Sequence, residues 1–140
     1  MSTPYESADL ILKLYDLRRE TKMRDAREWF LREFHPETAD EVVEVLRGEN
    51  HARFRMVVGY WDMAAGLVTH GAIEHRMFVE LNPEAFPTYA KLEPIMHELR
   101  EKLGRPKYLE HLEGVVMKVP GVGERLQKLR ANLKAAAALK

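Results

Sequence analysis

The chain of 140 residues carries 22 Lys and Arg, 22 Asp and Glu, six His and no Cys, so its formal net charge is zero. This length suits one domain, and 46% apolar with 31% charged residues is typical of a folded domain rather than a disordered chain. The absence of cysteine excludes disulfides, thiolate metal sites and cysteine nucleophiles, and zero net charge gives no global attraction to nucleic acid or membranes.

The beginning of the chain lacks the basic, apolar and cleavage regions of a signal peptide. The longest apolar tract, residues 55–70, is interrupted by Asp62 and is shorter than the roughly 18–20 apolar residues of a membrane span. These features predict a cytoplasmic protein with no membrane partner.

The first predicted helix begins at residues 3–6, which form a capping box with Pro4 in the first turn. Its apolar residues lie on two nearly opposite stripes. These are Tyr5, Ala8, Ile11, Leu12 and Tyr15 on one stripe, and Leu10, Leu14 and Leu17 on the other. An apolar arc this wide needs two burying surfaces, so it favours a core contact on one side and a partner subunit on the other.

Two short helices follow. Residues 23–34 have helical apolar spacing and end before Pro36, because proline disfavours the helical conformation of the preceding residue. A second capping box at residues 38–41 predicts a helix that ends at Gly48.

The longest apolar helix is predicted over residues 52–69, capped by Asn50 and placed at the centre of the bundle because it is apolar nearly all round. Gly59 and Gly66 each cost about 1 kcal/mol relative to alanine inside a helix. Both glycines therefore predict the close approach of a neighbouring helix.

Helical signals continue to the end of the chain. Residues 71–81 predict a short helix, residues 87–103 a helix kinked at Pro94, and Arg105-Pro106 the start of another. A turn at residues 119–123 leads into a basic helix with Leu126, Leu129 and Leu133 on one stripe.

The fold class predicted from these signals is all-α, a compact bundle of about six or seven helices. The predicted core is Leu14, Phe30, Val42, Leu46, Phe54, Val57, Trp61, Leu67, Phe78, Leu92, Leu99 and Leu112. We divide the chain into a helical bundle of residues 1–118 and a hairpin with a basic C-terminal helix at 119–140. The leucine stripe of that tail packs either on the bundle or on a partner chain.

Several enzyme classes are excluded by spacing. The chain has no P-loop, no dinucleotide-binding fingerprint, and only two serines, both near the beginning of the chain. No histidine has an acidic residue three positions before it, which excludes the di-iron Glu-x-x-His motif. Residues 70–75 differ from the H-x-x-E-H zinc motif by one extra residue. We therefore expect no metal and no cofactor.

Asp62 is an acid among aromatic and apolar residues, and a buried acid needs a partner. An ion pair with Arg55, Arg76 or Arg100 is the favoured interpretation. An enzyme or ligand-binding alternative would instead place Asp62, Glu74 and His75 around one polar cavity as weak catalytic candidates.

The turn at residues 116–123 matches the helix-hairpin-helix pattern of DNA-binding proteins, in which hairpin amides contact phosphate. A DNA-binding alternative would use Gly121 and Gly123. The cations it would need are Lys118, Arg125, Lys128 and Arg130. Gln127 departs from the motif, which favours a packing role for this helix.

Four stretches carry a family resemblance: residues 58–62, 66–73, 92–95 with Arg100, and 105–113. Together they resemble a bacterial helical domain-of-unknown-function family, numbered four thousand seven hundred and sixty, over residues 54–116. The resemblance implies a helical fold and carries over no catalytic residues.

The leading functional hypothesis is a non-enzymatic interaction or scaffold module that self-associates as a homodimer. It rests on the two-sided apolar arc of residues 5–17 and on the leucine stripe of the tail, since either surface would leave an exposed apolar patch if nothing covered it.

Overall fold

The computed structural model describes residues 2–139 and contains nine α-helices and one 3₁₀ turn, with no strand among those residues. The predicted bundle of residues 1–118 and the predicted tail of residues 119–140 also include Met1 and Lys140, which lie outside the described residues. The helices are α1 (Pro4–Arg18), α2 (Thr21–Arg32), α3 (Ala39–Arg47), α4 (His51–Thr69), α5 (His75–Leu81), α6 (Ala85–Ala90), α7 (Met96–Leu103), α8 (Glu110–Met117) and α9 (Val122–Ala138), with the 3₁₀ turn at Glu93–Ile95. The all-α prediction is confirmed, whereas six or seven helices is too few.

The additional helices arise where the backbone breaks segments that were predicted to be continuous. Pro94 lies in the 3₁₀ turn that separates α6 from α7, because proline has no amide hydrogen for the helical ladder. Arg105-Pro106 does not open a helix. The chain turns at Leu109, which has a left-handed φ of 56°, and α8 begins one residue later.

The predicted caps have mixed outcomes. The Thr3 hydroxyl accepts from the Glu6 amide at 3.1 Å and the Glu6 carboxylate accepts from the Thr3 amide at 3.0 Å, so this capping box is confirmed. The second predicted box is only half formed, because the Thr38 hydroxyl accepts from the Glu41 amide while the Glu41 carboxylate accepts from the Glu37 amide instead of the Thr38 amide. Asn50 precedes α4, but its side chain accepts from the Arg53 guanidinium and does not cap the helix.

Helix α4 lies at the centre and packs against α2, α3 and α8. Every predicted core residue is buried except Leu46 and Leu67, which are partly buried and pack against the core. Aromatic rings fill the side facing α2, where Phe30 and Phe34 lie 5.0 Å apart and Phe54 lies 5.5 Å from Phe34 between ring centroids. Among the described residues no helix is long and apolar enough to cross a membrane.

The two glycines of α4 have different surroundings. A Cβ on Gly66 would be in ordinary van der Waals contact with the His111 ring, at 3.5 Å, so α8 does lie close to this position. A Cβ on Gly59 would have no atom within 4 Å beyond its own helix and chain neighbours. The predicted close approach of a helix is therefore wrong at Gly59, which is exposed.

Helix α9 lies against α6, with further contacts to α2 and α8. Leu126 is fully buried, while Leu129 and Leu133 are partly buried. The Arg125 guanidinium lies 3.8 Å above the centre of the Phe86 ring, and Arg130 donates to the Ala90 carbonyl at 2.8 Å. These contacts attach the helix to its own chain at both apolar and polar positions.

We predict that Leu126→Ala lowers the free energy of unfolding by about 2–5 kcal/mol, because it removes a fully buried side chain and leaves a cavity. Lys128→Ala on the exposed face of α9 is the control and should change stability by less than about 0.5 kcal/mol. Chemical denaturation measures both. Equal stabilities for the two variants would contradict the packing of α9 on the bundle.

Candidate functional site

Asp62 extends from α4 toward the start of α8. Its Oδ1 atom accepts a hydrogen bond from the Leu112 amide at 3.0 Å. Leu112 is the third residue of α8, and the residue before that helix, Leu109, has no side-chain oxygen with which to cap it. Asp62 therefore caps a helix other than its own.

This contact corrects the predicted ion pair of Asp62 with an arginine. Arg76 pairs with Glu80 at 3.0 Å, and Arg100 pairs with Glu113 at 3.1 Å. A helix N-terminus can replace an arginine as partner because its amide groups and the helix dipole both favour a carboxylate.

Glu74 and His75 have partners of their own. Glu74 is exposed, and its amide donates to the Ser7 hydroxyl at 3.0 Å. His75 Nε2 lies 2.9 Å from the Val115 carbonyl, which can only accept, so Nε2 is the donor. Asp62 and His75 thus contact the backbone of α8 at different positions, and their grouping around one cavity with Glu74 stays a prediction. Within residues 2–139 no group of three or more His, Asp and Glu is arranged to hold a metal ion.

The predicted phosphate-binding residues lie around the turn before α9. Gly121 adopts a left-handed φ of 71°, and Lys118, Gly123 and Lys128 are exposed. Arg125 lies over Phe86, and Arg130 donates to the Glu93 carboxylate at 3.0 Å. Two of the four cations of the DNA-binding hypothesis therefore already have partners within the chain.

Lys91, which the sequence reasoning missed, is a buried cation directly after α6, with only 4% of its surface exposed. Its Nζ donates to the carbonyls of Leu31 and Phe34, at the end of α2, and contacts His35 Nδ1 at 3.2 Å. A lysine flanked by Tyr89, Ala90 and Leu92 was the available signal, the same kind that singled out Asp62.

The hydrogen bonds of His35 indicate which of its two ring nitrogens carries the hydrogen. Nε2 lies 3.0 Å from the Arg32 carbonyl, so Nε2 carries the hydrogen and Nδ1 accepts from Lys91. Each of the three ammonium hydrogens of Lys91 is then donated in a hydrogen bond. This arrangement attaches the segment after α2 to α6.

A cavity of about 350 Å³ lies beside Lys91, and we call it the Lys91 cavity. Its lining residues are His35, Pro36, Glu37, Lys91, Gln127, Arg130, Ala131, Leu133 and Lys134. Arg130 pairs with Glu93, and Lys134 pairs with Glu37. Burial lowers the pKa of Lys91 to about 7. Lys91, Arg130 and Lys134 thus all have partners, and the ion pairs of Arg130 and Lys134 join α9 to the bundle.

A second concavity, of about 390 Å³, lies beside α4, and we call it the cationic groove. Its lining residues are Leu46, Arg55, Val58, Gly59, Asp62, Leu103, Arg105, Lys107, Tyr108 and Leu109. Burial raises the pKa of Tyr108, while the positive charges of Arg105 and Arg55 oppose that rise. Three cations and one carboxylate therefore line the groove.

The outer face of α1 is apolar and exposed. Helix α1 buries Ser7, Ile11 and Leu14 against the bundle. The stripe formed by Tyr5, Ala8, Leu12 and Tyr15 faces outward, with Tyr5 88%, Leu12 67% and Tyr15 46% exposed. We call this stripe the α1 outer face.

Comparison with known proteins gives a family and no function. The family model of a domain of unknown function, DUF4760, matches residues 5–119, so the chain belongs to this family. The resemblance found over residues 54–116 is thereby confirmed, and the match extends to the start of α1. No curated protein matches the chain, and no solved structure does.

We predict that Asp62→Ala lowers the free energy of unfolding by about 0.5–2 kcal/mol, because α8 loses the acceptor at its N-terminus. Asp62→Asn keeps an oxygen acceptor and should lose less. Asp25→Ala removes an exposed carboxylate paired with Arg53 and should change stability by less than about 0.5 kcal/mol. Equal losses for the alanine and asparagine variants in chemical denaturation would contradict the capping role.

Lys91 should make stability depend on pH. Its pKa is about 7 in the folded chain and 10.5 in the ordinary amine, so between these values the unfolded chain binds more protons. Stability should therefore rise with pH above 7, by up to about 1.4 kcal/mol per pH unit from this group.

The measurement is chemical denaturation from pH 6.5 to 9.5 of the native chain and of Lys91→Met, which lacks the titrating group. The free energy of unfolding of the native chain should rise relative to that of the variant as the pH increases. Tyr89, whose pKa is raised by burial and by the Glu113 carboxylate, is present in both chains and cancels from the difference. A constant difference would show that Lys91 keeps its proton throughout this range.

Proposed function

We propose that the protein is a non-enzymatic interaction module that forms a homodimer through the α1 outer face. The observation that carries the proposal is the exposure of Tyr5, Leu12 and Tyr15 on a helix whose opposite side is buried in the core. Exposed apolar patches on folded proteins mark interaction surfaces, because their contact with water is unfavourable. Placement in the cytoplasm and a bacterial source remain predictions.

The charges along α1 support a second copy as the occupant. Glu6 and Asp9 lie in the first half of the helix, whereas Arg18 and Arg19 lie at its end, both over the Tyr15 ring. Two α1 helices packed antiparallel about Leu12 would bring the acidic half of each copy to the basic end of the other. This arrangement has the twofold symmetry that is commonest among homodimers.

The same geometry places complementary groups opposite each other. With Leu12 on the twofold axis, Arg19 of one copy lies opposite Tyr5 of the other, which pairs a guanidinium with an aromatic ring. The α1 outer face is one helix wide, so the dimer belongs to the small interfaces, below about 1,200 Å², that are typical of transient association.

We predict that Leu12→Glu raises the dimer dissociation constant by at least about 100-fold. The substitution removes a leucine contact from each copy and places two carboxylates near the twofold axis. Sedimentation velocity over a range of protein concentrations measures the association.

Leu17→Glu is the matched control, since Leu17 is 57% exposed on another face of the same helix and should leave the dimer intact. Circular dichroism should show the same helix content for both variants. A native chain that stays monomeric at every concentration, or a Leu12→Glu chain that still dimerises, would refute the proposal.

The two alternatives have less support. DNA binding at the hairpin would have Lys118 and Lys128 as exposed cations, because Arg125 and Arg130 have intramolecular partners. The enzyme alternative would require Asp62 and His75 to leave hydrogen bonds to α8. We also propose that residues 119–140 are a tail packed on its own bundle, which the burial of Leu126 supports.

A further inference from the structure

The cationic groove brings together on one concave surface three positive charges that are unpaired among the described residues. Arg55, Arg105 and Lys107 form no ion pair and no side-chain hydrogen bond with any of residues 2–139. Two other concavities each hold an arginine that is paired, Arg27 with Glu84 and Arg130 with Glu93. The groove therefore has cationic donors whose charge no carboxylate neutralises, apart from the single carboxylate of Asp62.

Tyr108 adds a hydroxyl group to these cations. Its ring is largely buried, and the Arg105 guanidinium lies 4.8 Å from the ring centroid. Tyr108 lines the groove together with Arg105, Asp62 and Arg55. The ring thus holds Arg105 by a cation–π contact and leaves the guanidinium hydrogens available to a ligand.

Asp62 does not cancel this positive potential. One of its oxygens accepts from the Leu112 amide, so the carboxylate partly serves the N-terminus of α8. The lining residues carry three positive side chains against this one negative side chain, a net charge of +2. An anion of two charges would neutralise the groove.

Gly59 leaves the backbone of α4 uncovered within the groove, since beyond its own helix and chain neighbours no atom lies within 4 Å of the position its Cβ would occupy. A ligand can therefore approach the helix surface between Arg55 and Asp62, which lie one turn to either side. The volume of about 390 Å³ falls within the usual range of small-molecule sites, roughly 300–1,000 Å³.

We propose that the cationic groove binds the phosphate group of a small soluble phosphate monoester. The forked guanidinium groups of Arg55 and Arg105 match the oxygens of a phosphate, and Lys107 supplies a third positive charge. Asp62 and the Tyr108 hydroxyl lie beside them as partners for a hydroxyl group on the organic part of the ligand. This site is independent of the α1 outer face.

The test is a titration of the full chain followed by NMR spectra of its backbone amides, with glycerol 3-phosphate as the probe. Glycerol 3-phosphate should shift the Gly59 and Leu109 amides in a saturable way, whereas glycerol and chloride should not. Arg105→Ala and Lys107→Ala should each weaken binding by about tenfold or more. The double variant Lys118→Ala, Lys128→Ala removes two exposed cations outside the groove and should bind as the native chain does.

A steric pair of variants tests the position independently of charge. Gly59→Leu places a side chain in the groove and should abolish binding, while Gly114→Leu, at an exposed and equally open glycine of α8, should not. Thermal unfolding of each variant establishes that it is folded. Leu12→Glu should bind the probe normally, which separates this site from the dimer.

Three outcomes would overturn the proposal. One is the absence of a saturable shift with glycerol 3-phosphate, and another is binding that survives both Arg105→Ala and Gly59→Leu. The third is binding to vesicles containing phosphatidic acid, or to duplex DNA, without binding of the soluble probe. That result would assign the cations to a lipid headgroup or to a nucleic-acid backbone.

Discussion

Helix α4 has apolar side chains on nearly every side, and the other helices are arranged to remove them from water. Helices α2, α3 and α8 cover it, and Trp61 at its middle is completely buried. A 19-residue helix needs neighbours on several sides at once, which short helices with sharp turns provide more readily than long ones. This constraint explains why the chain is divided into more helices than its apolar periodicity indicates.

Three polar side chains of the interior are satisfied by backbone groups at or near the ends of other helices, whereas the buried Trp61 indole nitrogen has no hydrogen-bond partner among the described residues. Asp62 accepts from the amide at the start of α8, and Lys91 donates to carbonyls at the end of α2. The Tyr60 hydroxyl donates to the Leu14 carbonyl in the last turn of α1. The Asp62 and Lys91 contacts satisfy backbone groups that their own helices cannot satisfy, and all three contacts fix the position of one helix relative to another.

Charge is distributed unevenly over this neutral chain. Most arginines that join elements are paired: Arg100 contacts Glu113, which also accepts from the Tyr89 hydroxyl, and Arg27 forms a two-pronged pair with Glu84. The cations of the cationic groove are the contrasting case. A net charge of zero thus hides a local positive field, because the compensating carboxylates lie elsewhere on the molecule.

The amino-acid sequence by itself determined the helical class, the central position of residues 52–69, most of the core and the first capping box, because these depend on local spacing and on residues three or four positions apart. It also indicated the apolar outer side of α1. Only the tertiary structure decided that Asp62 caps α8 rather than pairing with an arginine, that Lys91 is enclosed at the end of α2, and that Gly59 borders an open groove. Leu112 is 50 residues from Asp62, and Phe34 is 57 residues from Lys91. Pairings over such distances follow from how helices pack, and no periodicity within one helix encodes them.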